Sequence, residues 1–168
     1  MTKLTPQKIQ RQLGQRWESY IRKECAALKK AGLAQVDKNW EAPRIPGKAG
    51  KYTRREKSKP DFSGWAREGR HVVFEAKATQ VTTRFDLSLL ADHQQRAIVD
   101  AGEAGAIAFV YLLSGYGDEA GKWVLPWWLF VDVDGSSIPL DHPVYLKRGG
   151  ETWLDAWERI EEMHKEGV

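Results

Sequence analysis

The chain has 168 residues and a mass of 19.1 kDa, the size of one ordinary domain with chain enough for a real core. Hydrophobic residues make up 42% and charged residues 29%, which excludes a disordered or fibrous chain. The longest apolar stretch, residues 123–131, is too short for a membrane span of about 20 residues. Lys3, Lys8, Arg11 and Arg16 interrupt the N-terminus, which argues against a secretory leader. A single cysteine, Cys25, excludes an internal disulfide framework and a cysteine-rich zinc site. The expected setting is the cytoplasm, with no membrane partner.

Charge is distributed unevenly. Residues 1–60 carry 16 Lys/Arg against five Asp/Glu, whereas residues 61–168 carry 10 against 18. This asymmetry points to an anionic partner for the first third of the chain. Its densest part, residues 44–59, holds Arg44, Lys48, Lys51, Arg54, Arg55, Lys57 and Lys59 against Glu56 alone. A solvated loop would account for that density. Nucleic acid is the other reading, because Lys and Arg paired to phosphates release counterions.

In chain order, residues 6–31 predict a helix. Thr5 caps it, Pro6 suits its first turn, Gly32 ends it, and Ile9, Leu13, Trp17, Ile21 and Leu28 form its apolar stripe. A strand follows near 34–38. Residues 42–59, punctuated by Pro43, Pro46, Gly47 and Gly50, read as a loop or extended arm. Residues 62–65 and 71–77 read as strands joined by a three-residue turn at 67–69, with Gly69 left-handed. Residues 91–103 predict a helix, 106–113 a buried strand, 122–125 a further strand, and Pro126 opens a short helical piece. A final acidic helix spans 151–165, with Trp153, Trp157, Ile160 and His164 on one face, packed on the core or at a subunit interface. Trp123, Trp127 and Trp128 read as core rather than as base-stacking residues. Asp132, Asp134 and Gly135 read as a turn, because a calcium loop needs ligands that are missing here. Cys25 has no activating neighbours and reads as structural. The order of elements implies a mixed sheet flanked by helices, in one domain spanning 1–168.

Residues 59–77, KPDFSGWAREGRHVVFEAK, carry the chemistry. Strand alternation puts Glu75 and Lys77 on one face and Phe74 and Ala76 on the other. A three-residue loop at 67–69 pairs Ala66 with Arg70, so counting outward sets Asp61 opposite Glu75. Two carboxylates facing across a strand pair repel. A divalent cation offsets the repulsion, since Mg²⁺ takes one or two carboxylates plus substrate phosphate. Lys77, one pleat away, could pair with that phosphate or hold a water. An ordinary Glu–Lys surface pair would explain the Glu-x-Lys spacing alone. It does not explain two charges on a strand whose Val72, Val73, Phe74 and Ala76 mark it as buried.

The Pro-Asp, strand, turn and Glu-x-Lys order resembles the PD-(D/E)xK signature of the restriction-endonuclease-like nucleases. Within them the chain resembles the RecU-type Holliday junction resolvases. Gly14-Gln15-Arg16-Trp17-Glu18 is similar to that family's glycine, aromatic and acid on the first helix. Asp61-Phe62-Ser63-Gly64 is similar to its D-[FY]-N-G, and Phe74-Glu75-Ala76-Lys77 matches its F-E-A-K. Phe85 and Leu87 resemble its F-P-L, His93-Gln94 its H-Q, and residues 105–110 its G-x-I-C-F-V strand. The resemblance covers roughly residues 14–113 and leaves the last 50 residues largely outside it. It departs at Lys59, where the family has a threonine, at Ser63, where it has asparagine, in a turn one residue longer, and in a shortened basic arm.

The resemblance implies an α/β fold, a restriction-endonuclease-like mixed β-sheet flanked by helices with an α-β-β-β-α-β core. It implies a metal-dependent endonuclease acting on four-way DNA junctions as a homodimer with two active sites. Asp61, Glu75 and Gln94 would be metal ligands for Mg²⁺, with Mn²⁺ a possible substitute. Lys77 would stabilise the transition state or position the attacking water. Glu18 would add a further acid, His93 would contact the scissile strand, and the arm at about 42–59 would bind DNA. The shortened arm leaves a related nuclease acting on flaps, ends or duplex as the alternative. A non-catalytic DNA-binding module is the third reading, disfavoured by the presence of Asp61, Glu75 and Lys77 together. Host cytoplasm, bacterial or that of a virus-infected cell, is the setting implied.

Overall fold

The computed structural model describes residues 5–39, 45–46, 52–53, 59–117, 120–131, 133 and 135–167. Helix α1 spans Pro6–Lys30. Thr5 caps it by accepting a hydrogen bond from the Lys8 amide, and Lys29 and Lys30 in the last turn complement the helix dipole. Its buried face is Leu13, Trp17, Ile21, Glu24, Cys25 and Leu28. Burial pushes the Cys25 thiol up to about 12, so it stays a protonated packing group.

Strands β1 (Ala34–Lys38), β4 (Phe62–Ala66), β5 (His71–Thr79), β7 (Ile107–Ser114) and β8 (Gly121–Pro126) form one sheet in the order β1-β4-β5-β7-β8. Only β5 and β7 are parallel, and helix α2 (Asp92–Glu103) makes the crossover between them that parallel pairing requires. The run α1-β1-β4-β5-α2-β7 reproduces the expected α-β-β-β-α-β core. Short strands β2 (Ile45–Pro46) and β3 (Tyr52–Thr53) pair antiparallel within the segment expected to be loop or extended arm. A second unexpected pair, β6 (Arg84–Asp86) with β9 (Ser137–Pro139), joins segments 50 residues apart.

Phe62, Phe74, Phe109 and Tyr111 fill one face of the sheet beneath α1 and helix α3 (Trp153–Lys165). Val73 and Ala108 fill the other beneath Ile98 of α2. Trp153 and Trp157 are fully buried against Phe109, so α3 completes the core and these residues serve packing rather than an interface. Trp123 is buried and donates to Ser114 Oγ at 2.8 Å, while Trp127 and Trp128 pack on the core edge. His164 stacks on Trp128 at 4.2 Å. Asp132 and Asp134 lie outside the described residues. No described helix is long and apolar enough to cross a membrane.

The β4–β5 turn follows the expected register: the Ala66 amide donates to the Arg70 carbonyl at 2.8 Å. Gly69 is left-handed (φ 74°), and so is Glu68 (φ 67°), which the sequence reading did not anticipate. Arg67 pairs with Glu158 at 2.7 Å and Arg70 with Glu161, pinning the turn to α3.

Gly64 has a packing reason. A Cβ there would sit 2.0 Å from the Gln35 carbonyl oxygen and 2.7 Å from Val36 Cα, both backbone atoms of β1. Gly64→Ala is therefore expected to force β1 off β4, with an overpacking cost of about 1–3 kcal/mol. Thermal unfolding of the variant checks this; a Tm equal to the parent's would show that β1 yields freely.

Candidate active site

Asp61 immediately precedes β4, and Glu75 lies in the middle of β5. Phe62 pairs with Phe74, so the register sets Asp61 opposite Glu75, as the sequence count requires. The Ala76 amide donates to Asp61 Oδ2 at 3.2 Å, which turns the aspartate toward β5. Glu75 is fully buried on the face covered by α2, and alternation puts Lys77 beside it.

Gln94, in the first turn of α2, bridges the two. Its Nε2 donates to Glu75 Oε2 at 2.8 Å, and its Oε1 accepts from Lys77 Nζ at 2.9 Å. The Ala91 amide also donates to that oxygen at 3.2 Å, fixing the side chain against the helix start. Lys77 Nζ stands 3.9 Å from Glu75 Oε2. Asp61, Glu75, Lys77 and Gln94 are therefore gathered at one place by β4, β5 and α2.

Asn39, just past β1, is a residue the sequence reading passed over. Its amide donates to the Asp61 carbonyl at 2.8 Å, its Nδ2 donates to the Pro60 carbonyl at 2.7 Å, and its Oδ1 accepts from Ser63 Oγ at 2.9 Å. Asn39 thus holds the chain on both sides of Asp61. Ser63, where the resembled motif has asparagine, takes part in that clamp. A lone asparagine after a short strand gives no periodic signal, so only the fold reveals it.

Glu18 is placed differently from the cluster. It forms an ion pair with Lys38, whose strand neighbour is Phe62. Lys38 continues the alternation of buried Ala34 and Val36, so the pair lies on the α1 face of the sheet, at the strand ends next to Asp61. His93 is exposed in the first turn of α2, and Lys59 is exposed two residues before Asp61. Arg44, Lys48, Lys51, Arg54, Arg55 and Lys57 lie outside the described residues.

Among the described residues, no three His, Cys, Asp or Glu side chains gather into a cluster able to hold a metal. The donors present are two carboxylates set opposite each other and one amide oxygen. Such hard oxygen ligands suit Mg²⁺, which is commonly bound through one or two carboxylates and completed by phosphate and water. The amide oxygen of Gln94 is turned to Lys77, so it joins such a set only if that side chain rotates.

An acid at the start of one strand, Glu-x-Lys on the next and a crossover helix over the parallel pair define a chain of the restriction-endonuclease-like class. The family profile described as Recombination protein U matches residues 7–127. The chain belongs to the RecU family. A Holliday junction resolvase, Hjc, from the archaeal hyperthermophile Archaeoglobus fulgidus is similar over 83% of this chain and 94% of its own, at 18% identity and a TM-score of 0.47. No curated protein matches the chain.

Proposed function

We propose that this chain is a divalent-metal-dependent endonuclease that resolves four-way DNA junctions by paired phosphodiester cleavage. The observation that carries the reading is the apposition of Asp61 and Glu75 across β4 and β5, with Lys77 on the same face, in a chain of the RecU family. Asp61 and Glu75 would hold the cation, with Mg²⁺ as the proposed ion and Mn²⁺ a tolerated one. Bound there, the cation lowers the pKa of a water and offsets phosphate charge.

The protein's own groups complete the site. Lys77 supplies positive charge where the phosphorane-like transition state becomes more anionic. Gln94 holds Nζ of Lys77 in place, and it becomes a metal ligand if its oxygen is released from that lysine. Asn39 fixes the backbone beside Asp61, so the carboxylate needs little reorganisation on binding. Glu18 reaches the strand ends from the opposite face as a supporting acid. His93 and Lys59 flank the site and contact the phosphate backbone together with the basic arm. Paired nicks require two such sites, so we propose a homodimer, acting in the cytoplasm where the DNA lies.

Labelled four-way junction, linear duplex, flap and single-stranded DNA, each incubated with Mg²⁺ or with EDTA, test this reading. The expected result is paired nicks confined to the junction, with 5′-phosphate and 3′-hydroxyl ends, abolished by EDTA. Equal cutting of flaps or duplex would replace junction resolution with a broader nuclease activity, the reading favoured by the shortened arm. Cleavage that persists in EDTA would overturn the metal assignment.

A further inference from the structure

Helix α1 carries seven Lys/Arg and two acids, Glu18 and Glu24. Both acids are engaged within the fold, Glu18 by Lys38 and Glu24 by Lys147. The bases are distributed on two sides of the helix. At 100° per residue, Lys8, Arg11, Gln15, Glu18, Arg22, Ala26 and Lys29 fall on one narrow stripe, at spacings of three and four. Arg16, Lys23 and Lys30 fall on a separate stripe, about 100° further round the helix. Lys8, Arg11, Arg22 and Lys29 are all exposed, and none forms an ion pair with a described acid.

The first stripe borders the edge of the sheet. An open groove of about 810 Å³ lies along the outer edge of the α1–β1 packing, and Arg22, Ala26, Lys29, Asp37 and Lys38 are among the residues that line it. Asp37 is the acid among the residues that line it. Asn39 and Phe62, both next to Asp61, line it too; Phe62 faces α1, whereas Glu75 lies on the α2 face. From Lys8 to Lys29 the stripe covers about 31 Å at 1.5 Å per residue, close to the roughly 34 Å of one duplex turn.

We infer that the α1 stripe and the groove beside β1 form a phosphate-tracking surface that holds the sugar–phosphate backbone of the duplex arm flanking the cleavage point. This rests on the endonuclease reading and adds to it a second contact surface, separate from the basic arm. Guanidinium and ammonium groups with no partner among the described acids, set along one side of α1 beside a groove that reaches the β1–β4 strand ends next to Asp61, match the charge of a phosphodiester strand. The contacts are to phosphates and carry no sequence preference.

The test compares Arg22→Gln/Lys29→Gln, beside β1, with Lys23→Gln/Lys30→Gln on the other stripe. Glutamine keeps helix propensity, and all four positions are exposed, so both variants fold. Binding of a fluorescent four-way junction is followed by anisotropy in EDTA over a series of salt concentrations. The slope of log K against log salt should become shallower by about 1.8 for Arg22→Gln/Lys29→Gln, two phosphate contacts at about 0.9 each. It should be unchanged for Lys23→Gln/Lys30→Gln. An unchanged slope for the first variant, or an equal change for both, overturns the surface while the endonuclease reading stands. A parent protein that binds no branched DNA at any salt concentration would remove both.

Discussion

Glu75→Ala is expected to abolish cleavage of a four-way junction. Lys77→Ala should slow it by about 10²–10³-fold, the effect of removing one preorganised charge-stabilising group. Both variants should keep junction affinity, because most of the binding free energy comes from phosphate contacts elsewhere. The two losses have different causes. Glu75 is half of the carboxylate pair that suits a hard cation, so its removal dismantles the metal site. Lys77 contributes charge near the phosphate, and its removal also takes one of the two hydrogen bonds that Gln94 Oε1 accepts. Added Mn²⁺ should therefore leave Glu75→Ala inactive. Single-turnover cleavage alongside anisotropy binding measures both quantities. Normal cutting by either variant would mean that the active site lies elsewhere.

The second large effect concerns stability. Glu24 of α1 is buried beneath α3, where Tyr111 Oη donates to it at 2.8 Å and the Trp153 amide at 3.2 Å. Lys147 Nζ lies 3.6 Å away, is itself buried, and donates to Tyr20 Oη at 3.2 Å. Glu24→Ala leaves a buried lysine without its counter-charge and a buried phenol without its acceptor, at a cost of about 3–5 kcal/mol. For a domain of this size that is about 6–20 °C in Tm. Glu24→Leu with Lys147→Met should recover most of the loss, since a well-packed apolar pair can replace a buried ion pair. Thermal unfolding decides it. A Tm loss for Glu24→Ala no larger than that of an exposed substitution such as Glu162→Ala would show that the network contributes little.

Glu24 also sets a pH dependence. Burial raises its pKa above the ordinary carboxylate value, against the opposing pull of Tyr111 and Lys147. The folded protein therefore holds this proton more tightly than the unfolded chain does. Glu24 contributes stability that is fully present below its unfolded pKa and lost as pH rises through its folded pKa. The Glu24→Leu/Lys147→Met variant should lose that slope. The same network explains why the segment beyond residue 127, outside the family match, is integral to the fold: α3 supplies Trp153 to the core and its amide to Glu24.

Much of the site was legible before the fold. A three-residue turn and the strict alternation of strands are local rules, so counting from residues 67–69 placed Asp61 across from Glu75 and Lys77 beside it. The glycine after Asp61-Phe62-Ser63 was legible as a motif, and the close approach of the Gln35 carbonyl explains it. The apolar stripe of α1 follows from periodicity and the strand over Ile107–Ser114 from the unbroken apolar run at 106–113.

What the sequence could not determine depends on contacts between distant segments. The β6–β9 pair joins two three-residue strands, too short to show a period of two. Gln94 was legible as a candidate ligand, but its bridge from Glu75 to Lys77 required α2 to dock on β5. Asn39 gained its clamp on Asp61 only when β1 paired with β4, and Glu18 met Lys38 across the α1–β1 packing. Local propensity and alternation fix which face a residue takes along its own element. Which side chain meets it there is decided by how the elements pack, and that information is non-local.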